Sequence, residues 1–366
     1  MIAILFGTNS PNTNVKYERI IVITTIKMFV TVVCDKNEIL SLPIETGYIV
    51  DATGDGKICE KLNAKFLEKS ETETQPINLR FIMSGVNIEN FSFPVGKVQF
   101  LNMYPLDFEE YLMAAQEDKL IELIYDSYKN NKPLDSLFHQ RALNYYKEYL
   151  FVGGMPEVVE EYNKNHNTEL VRILQQTILE SYQNDMGKYN KQTEIPKTKI
   201  VYKNISTQLA KENKKFQYKM IKQGGRASEF ENAIEWLCLA GIASQNYRLE
   251  QIMLPLKAYQ SLRDFKFYMN DTGLCCASQD IYFEDILSEN PMFNNFKGGL
   301  TENYVFNQLK VNEINTYYWT SSSQSEIDFI VRMNDEVIPI EVKSNTNNRS
   351  KSLNIYIGKY NPKYSI

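Results

Sequence analysis

Histidine is scarce in this chain of 366 residues: there are two, His139 and His166. Nucleophile–histidine triads and imidazole-rich metal centres need several such rings held close together, so both chemistries are disfavoured from the outset. Cysteine is sparse as well. Cys34, Cys59, Cys238, Cys275 and Cys276 stand at no metal-ligand spacing, and the adjacent pair 275–276 cannot close an ordinary disulfide. A reducing cytoplasm is the expected setting.

Long apolar runs are missing too. The most apolar stretch near the start, "IIVITTIKMFVTVV" (20–33), is interrupted by Lys27 and rich in β-branched residues. It is shorter than a membrane span and reads as strand, so no membrane partner is expected. No basic leader followed by a small-residue cleavage site is visible, and export is not expected. A phosphate-cradling loop is the last absence. "ATGDGKICEK" (52–61) has glycines and Lys57, but Ile58 stands where a magnesium-holding hydroxyl is needed, and no glycine lies five residues before Gly56. A tight turn at Asp55-Gly56 is the reading, with no nucleotide-binding residues.

What is present is ordinary for a globular chain: 43% hydrophobic and 12% aromatic residues, with length for two or three domains. Net charge is −5. It is unevenly spread, because Pro196 to Arg226 carries eight lysines and one arginine against a single acid, Glu212.

Residues 1–77 hold short β-branched runs separated by Asn, Asp, Gly and Pro. From 106 to 195 the apolar positions recur three and four apart, the period of amphipathic helices, with "FVGGMPEVVEEY" (151–162) as a glycine break before a helix that begins near Pro156. Residues 196–250 then give helix, a Gly224-Gly225 break, a helix ending at Gly241 and a strand, the order of a winged-helix module. Trp236, Leu237 and Leu239 read as its core. Its lysines suggest a nucleic-acid face of Lys211, Lys214, Lys215, Lys219, Lys222 and Arg226, since phosphate neutralisation supplies most non-specific affinity. Packing without nucleic-acid contact is the alternative use of such a module.

The last hundred residues predict helix, three strands and helix. "SEIDFIVRMNDEVIPIEVKS" (325–344) places Asp328 on one strand and Glu341-x-Lys343 on the next, across a turn at Asn334-Asp335. Period two sends Ile338, Ile340 and Val342 to one face, and Glu341 and Lys343 to the other. If the strands pair, Asp328 and Glu341 can bind Mg²⁺, Lys343 can orient water or steady phosphate charge, and Glu302 on the preceding helix can add a contact. The plainer reading makes Glu341 and Lys343 the wet face of an edge strand.

Several long stretches carry a family resemblance: "FSFPVGKVQFLNMYPLDFEEYLMA" (91–114), "YLFVGGMPEVVEEY" (149–162), "ILESYQNDMGKY" (178–189), "QLAKENKKFQYKMI" (208–221), "LPLKAYQSLRDFKFYMNDTGL" (254–274) and "EIDFIV…IPIEVKS". From about residue 78 the chain resembles a prokaryotic family of AAA-type ATPases. Those proteins end in a domain of unknown function, number 4143, with a PD-(D/E)xK nuclease-like fold. The resemblance implies a mixed α/β, multidomain chain. Residues 1–77 form a β-rich segment without family match, and 78–113 the closing part of a AAA-type module, with Ser84 and Gly85 at a strand end. Then follow a helical region at 114–195, a winged-helix-like module at 196–250, and a nuclease-like domain at 251–366 that reads as truncated. ATP is the family's cofactor, yet nothing in 1–77 matches its P-loop or acidic Walker B strand. The expected function is therefore a family member without its own nucleotide site, associated with DNA or RNA or with a complete relative, and carrying a metal-dependent nuclease-like site. A non-enzymatic interaction or regulatory module is one alternative; an ATP-binding protein with an unusual loop is another.

Overall fold

The computed structural model describes residues 2–6, 22–23, 34–35, 38–39 and 98–366, except 190–191, 212–213, 289–292, 322–324 and 345–349. The chain divides into two compact units, Met1–Tyr104 and Pro105–Ile366. In the first, β1 (Ile2–Phe6) lies between β2 (Val22–Ile23) and β5 (Val98–Asn102), both antiparallel to it, and β3 (Cys34–Asp35) pairs with β4 (Glu38–Ile39). The Asp55-Gly56 turn, Lys57, Ser84 and Gly85 lie outside the described residues.

The second unit opens with helices, as the periodicity predicts. Helix α1 (Phe108–Ala114) starts at a capping box in which Asp107 accepts the Glu110 N–H at 2.8 Å and Glu110 accepts the Asp107 N–H at 2.9 Å. Then come α2 (Asp118–Lys129), α3 (Ser136–Val152), α4 (Pro156–Asn165) and α5 (Thr168–Tyr189). Between α3 and α4 the chain turns at Gly153, whose φ of 77° an L side chain rarely adopts. Next to it Gly154 lies so close to Leu106 that an added Cβ would sit 2.0 Å from that carbonyl oxygen. No described helix is long and apolar enough to cross a membrane.

Helices α6 (Ile195–Leu209), α7 (Tyr218–Ile221) and α8 (Ala227–Leu239) lead into β6 (Ala243–Leu249) and β7 (Gln260–Met269). In α8 the buried stripe is Phe230, Ala233, Ile234 and Leu237, the spacing of one helix face. Leu239 lies two residues past that stripe and is 76% exposed, so the expectation that it belongs to the core is corrected.

Short helices α9 (Thr272–Ala277) and α10 (Phe283–Leu287) precede α11 (Asn294–Val311), then β8 (Thr316–Thr320), β9 (Glu326–Met333), β10 (Glu336–Ile340) and α12 (Lys351–Tyr360). The five strands β6–β10 form one mixed sheet in the order β10-β9-β8-β6-β7, with β6 and β8 parallel and every other pair antiparallel. The expected module boundary at 250/251 thus falls in the loop joining two strands of one sheet.

Alternation along β7 decides what each face meets. Phe265 and Phe267 join Phe216 on one side, while Tyr268 stacks on Phe306 of α11 on the other, with ring centroids 4.5 Å apart. On β8, the middle strand of the sheet, Trp319 packs edge-on against Tyr356 of α12. Two register features fix the position of Asp328. Tyr317 pairs with Ile330 and Trp319 with Ile327, which leaves Asp328 and Phe329 both opposite Tyr318 in a bulge. The strand expected to run to Ser344 stops at Ile340, because the Val342 N–H goes to the carboxylate of Asp328 at 2.8 Å instead of a strand carbonyl.

Candidate functional site

Lys266 is the centre of the site. It lies mid-strand on β7, on the face that α11 covers, and its side chain is completely buried. Burying an ammonium is costly unless partners replace its water. Three carboxylates do so: Glu302 Oε1 at 2.7 Å, Glu326 Oε1 at 2.5 Å and Asp328 Oδ1 at 3.5 Å from Nζ. The ring of Tyr318 lies beneath the same ammonium, 5.2 Å from centroid to nitrogen.

Each partner is delivered by local structure. Glu302 projects from α11 onto the sheet, where Lys214 and the Tyr268 hydroxyl also bond its carboxylate. The bulge in β9 turns Asp328 towards α11 alongside Phe329, and Glu326 precedes it by two residues on the same strand. Burial pushes the Glu302 carboxyl up, but Lys266 and Lys214 outweigh it and hold it down at about 2. Asp328 is pushed up to about 7 by burial and by Glu302, against the pull of Lys266, Lys214 and the Val342 N–H. Burial lowers the Lys266 ammonium, yet Glu302, Tyr268, Glu326 and Asp328 together raise it well above the ordinary lysine range. It is a fixed positive charge.

The sequence-predicted residues divide between two places. Glu302 and Asp328 meet at Lys266. Glu341 and Lys343 meet each other, Nζ to Oε1 at 2.5 Å, beyond the end of β10. The charges acting on Asp328 are those of Glu302, Lys266 and Lys214. Among the described residues, no group of three or more His, Cys, Asp and Glu is placed to hold a metal ion as the side chains stand. Of the predicted basic face, Lys214 is bound to Glu302, Lys215 to Asp264 at 2.5 Å and Lys222 to Glu229 at 2.5 Å. Lys211, Lys219 and Arg226 are exposed.

Sequence reasoning did not find Lys266, Glu326, Tyr268, Asn246 or Tyr318. The available signal was the alternation "DFKFYM" at 264–269, which reads as a strand with one wet face. Helix α11 makes that face dry. Asn246, the ladder partner of Lys266, is fully buried there, and neither its amide oxygen nor its nitrogen has a partner.

Two family models match. Residues 143–284 match a domain of unknown function, DUF8612, and residues 297–365 match another, DUF4143. No curated protein and no solved structure matches the chain. The lysine and its carboxylates therefore come from both sides: Asn246, Lys266 and Tyr268 lie within the DUF8612 match, and Glu302, Tyr318, Glu326 and Asp328 within the DUF4143 match.

Proposed function

We propose that this chain is a non-enzymatic, nucleic-acid-associated interaction or regulatory module, related to AAA-type ATPases but without a nucleotide site of its own. The observation that carries the reading is the Lys266 ammonium, bonded by Glu302 and Glu326 and beside Asp328. Metal-dependent phosphodiester cleavage needs carboxylates open to a hydrated Mg²⁺, with space for an attacking water. Here a side-chain cation fills the position between them. ATP, where the function needs it, comes with a complete relative as partner.

Three helices followed by a hairpin, α6, α7, α8, β6 and β7, have the order of a winged helix and support DNA or RNA as the other partner. Exposed Lys211, Lys219 and Arg226 are the cations through which phosphate contact is proposed. The free thiols of Cys238, Cys275 and Cys276 suit a reducing cytoplasm.

A second reading keeps a nuclease-like site on a PD-(D/E)xK fold, with Asp328 and Glu341 on Mg²⁺, Lys343 assisting water and Glu302 in support. Two observations favour it: the Val342 N–H ties Asp328 to the Glu341-x-Lys343 segment, and Glu341 Oε2 is buried without a partner. Plasmid nicking in Mg²⁺, paired with duplex-DNA binding across a salt series, separates the two. The module gives no nicking and binding that weakens steeply with salt. Nicking by the wild type that Lys343→Ala abolishes overturns it in favour of the enzyme.

A further inference from the structure

We propose that Lys310 is an acyl-acceptor lysine: its side-chain amine takes an acetyl group from an activated donor, and acetylation there unfastens α11 from the start of β6. The site goes beyond the module reading as a regulatory device, and its readouts use neither nucleic acid nor metal, so the two are tested apart.

Lys310 stands in the last turn of α11, and its Nζ meets Ser244 on β6 and Asn270 just after β7. It donates to Ser244 Oγ and, at 3.2 Å, to Asn270 Oδ1. Those two are themselves joined. The Ser244 hydroxyl donates to Asn270 Oδ1 at 2.8 Å, and the Asn270 amide is anchored on the Gly241 carbonyl at 2.8 Å. These two oxygen partners are a hydroxyl and an amide, whereas Lys266, Lys215 and Lys222 are bonded to carboxylates. A carboxylate fixes a lysine in its charged, unreactive form; neutral oxygens hold the amine in place without that bias.

Burial then favours the neutral amine. It lowers Lys310 to about 8, against the pull of the Cys238 thiol, which burial holds up at about 11 and so uncharged near neutral pH. At about pH 7.5 roughly a quarter of such amines are neutral, against roughly one in a thousand for an ordinary lysine at ~10.4. Access is open as well, since Lys310 is half-buried and the turn at Ala240-Gly241, on which Asn270 is anchored, is exposed.

The step balances without an oxidant or a metal. The Nζ lone pair attacks the acetyl carbonyl carbon and a C–N bond forms; the bond to phosphate or sulfur breaks with its electron pair, and one amine proton leaves with that group or to water. The amide produced has a single N–H where the ammonium had three. It cannot keep both bonds. The tie is thereby lost between α11, in the DUF4143 match, and Ser244 and Asn270, in the DUF8612 match.

The test is acetylation of the full chain by acetyl phosphate in one arm and by acetyl-coenzyme A in the other, read lysine by lysine by mass spectrometry from about pH 6.5 to about pH 10. At about pH 7.5 Lys310 is expected to react at least about tenfold faster than the exposed Lys211 and Lys219 in one arm or both, with a rate that levels off above about pH 9. The arm that labels it names the donor. Labelling no faster than theirs in both arms, or a rate still climbing at about pH 10, overturns the site. Hydrogen exchange then reads the consequence. Amides at 241–246 and 305–311 are expected to exchange faster in acetylated wild type and not in equally treated Lys310→Arg, which keeps the charge. Unchanged exchange in the acetylated wild type, or the same change in Lys310→Arg, overturns the unfastening.

Discussion

Asp271 accepts the backbone N–H of Gly154 at 2.7 Å, across 117 residues of sequence. Its other oxygen caps α9 by accepting the Leu274 N–H at 2.7 Å. Two glycine-bearing stretches, "FVGGMP" and "MNDTGL", are thereby fastened to each other through one buried carboxylate. Gly153 has to remain glycine there, since an added Cβ would stand 2.3 Å from Asp271 Oδ1.

Replacing that carboxylate strands two buried donors. Each unmet backbone N–H costs roughly 1–3 kcal/mol, so Asp271→Ala is expected to lose about 2–5 kcal/mol of unfolding free energy in urea titrations. A loss under about 0.5 kcal/mol, the level of an indifferent surface change, would show that water replaces the carboxylate without cost.

Removing the central cation should be as severe. Lys266→Met leaves Glu302 and Glu326 facing each other without it, and a loss on the order of 3–5 kcal/mol is expected. Adding Glu302→Leu should recover much of it, because Lys214 is partly exposed and can turn to water. Calorimetric melting of the two variants side by side is the measurement; a double variant no more stable than the single one contradicts the account.

Acidity should stabilise the protein over a defined window. Asp271 and Asp328 are pushed up to about 6 and about 7, in both cases chiefly by burial, above the ~3.9 of an unfolded aspartate. Their contribution is fully present below ~3.9 and is lost as pH rises through the folded values. Glu302, held at about 2, works oppositely: its contribution is present above ~4.3 and is lost as pH falls through about 2. Stability should therefore peak near about pH 4–5 and fall towards neutrality, by up to ~1.4 kcal/mol per pH unit for each aspartate. Urea midpoints at about pH 5 and about pH 7.5 check this, and a midpoint that rises between them is the contrary result.

Nucleic-acid affinity should depend on the exposed cations and little on the engaged ones. Converting Lys211, Lys219 and Arg226 together to serine is expected to lower the slope of log affinity against log salt by up to about 3, or about 0.9 for each phosphate no longer neutralised. Lys215→Ser and Lys222→Ser remove side chains already bonded to Asp264 and Glu229, and should change the slope little. Fluorescence anisotropy with a labelled duplex distinguishes the sets; an unchanged slope in the triple variant removes this face from the interface.

Much of the helical architecture was legible because it depends on short-range pattern. The stop at Gly153 and the start at Pro156 follow from residue chemistry a few positions apart, whereas of the expected α8 core Trp236, Leu237 and Leu239 only Leu237 is fully buried. The turn at Asn334, which adopts a φ of 55°, was legible in the same way. Lys266 was not legible, for a reason outside its own strand. Alternation with Phe265 and Phe267 marks two faces but does not say which is wet, and only the docking of α11, some thirty residues on, makes the lysine's face an interior. Glu302 was found as an acid on a helix, and its partner was not, because an ion pair between distant segments leaves no local trace. Asp328 was found for its spacing to Glu341, whereas its orientation comes from a one-residue bulge that the pattern of β9 does not disclose.

Strand β6 is hydrogen-bonded to β7 on one flank and to β8 on the other, so it acts as a shared seam between the segments matched by the two family models. A break in the covalent chain at residues 289–292, between those segments, would leave the ladder and the Lys266 ion pairs on either side of the cut intact. Two polypeptides made separately from that point should therefore find one another and rebuild the sheet.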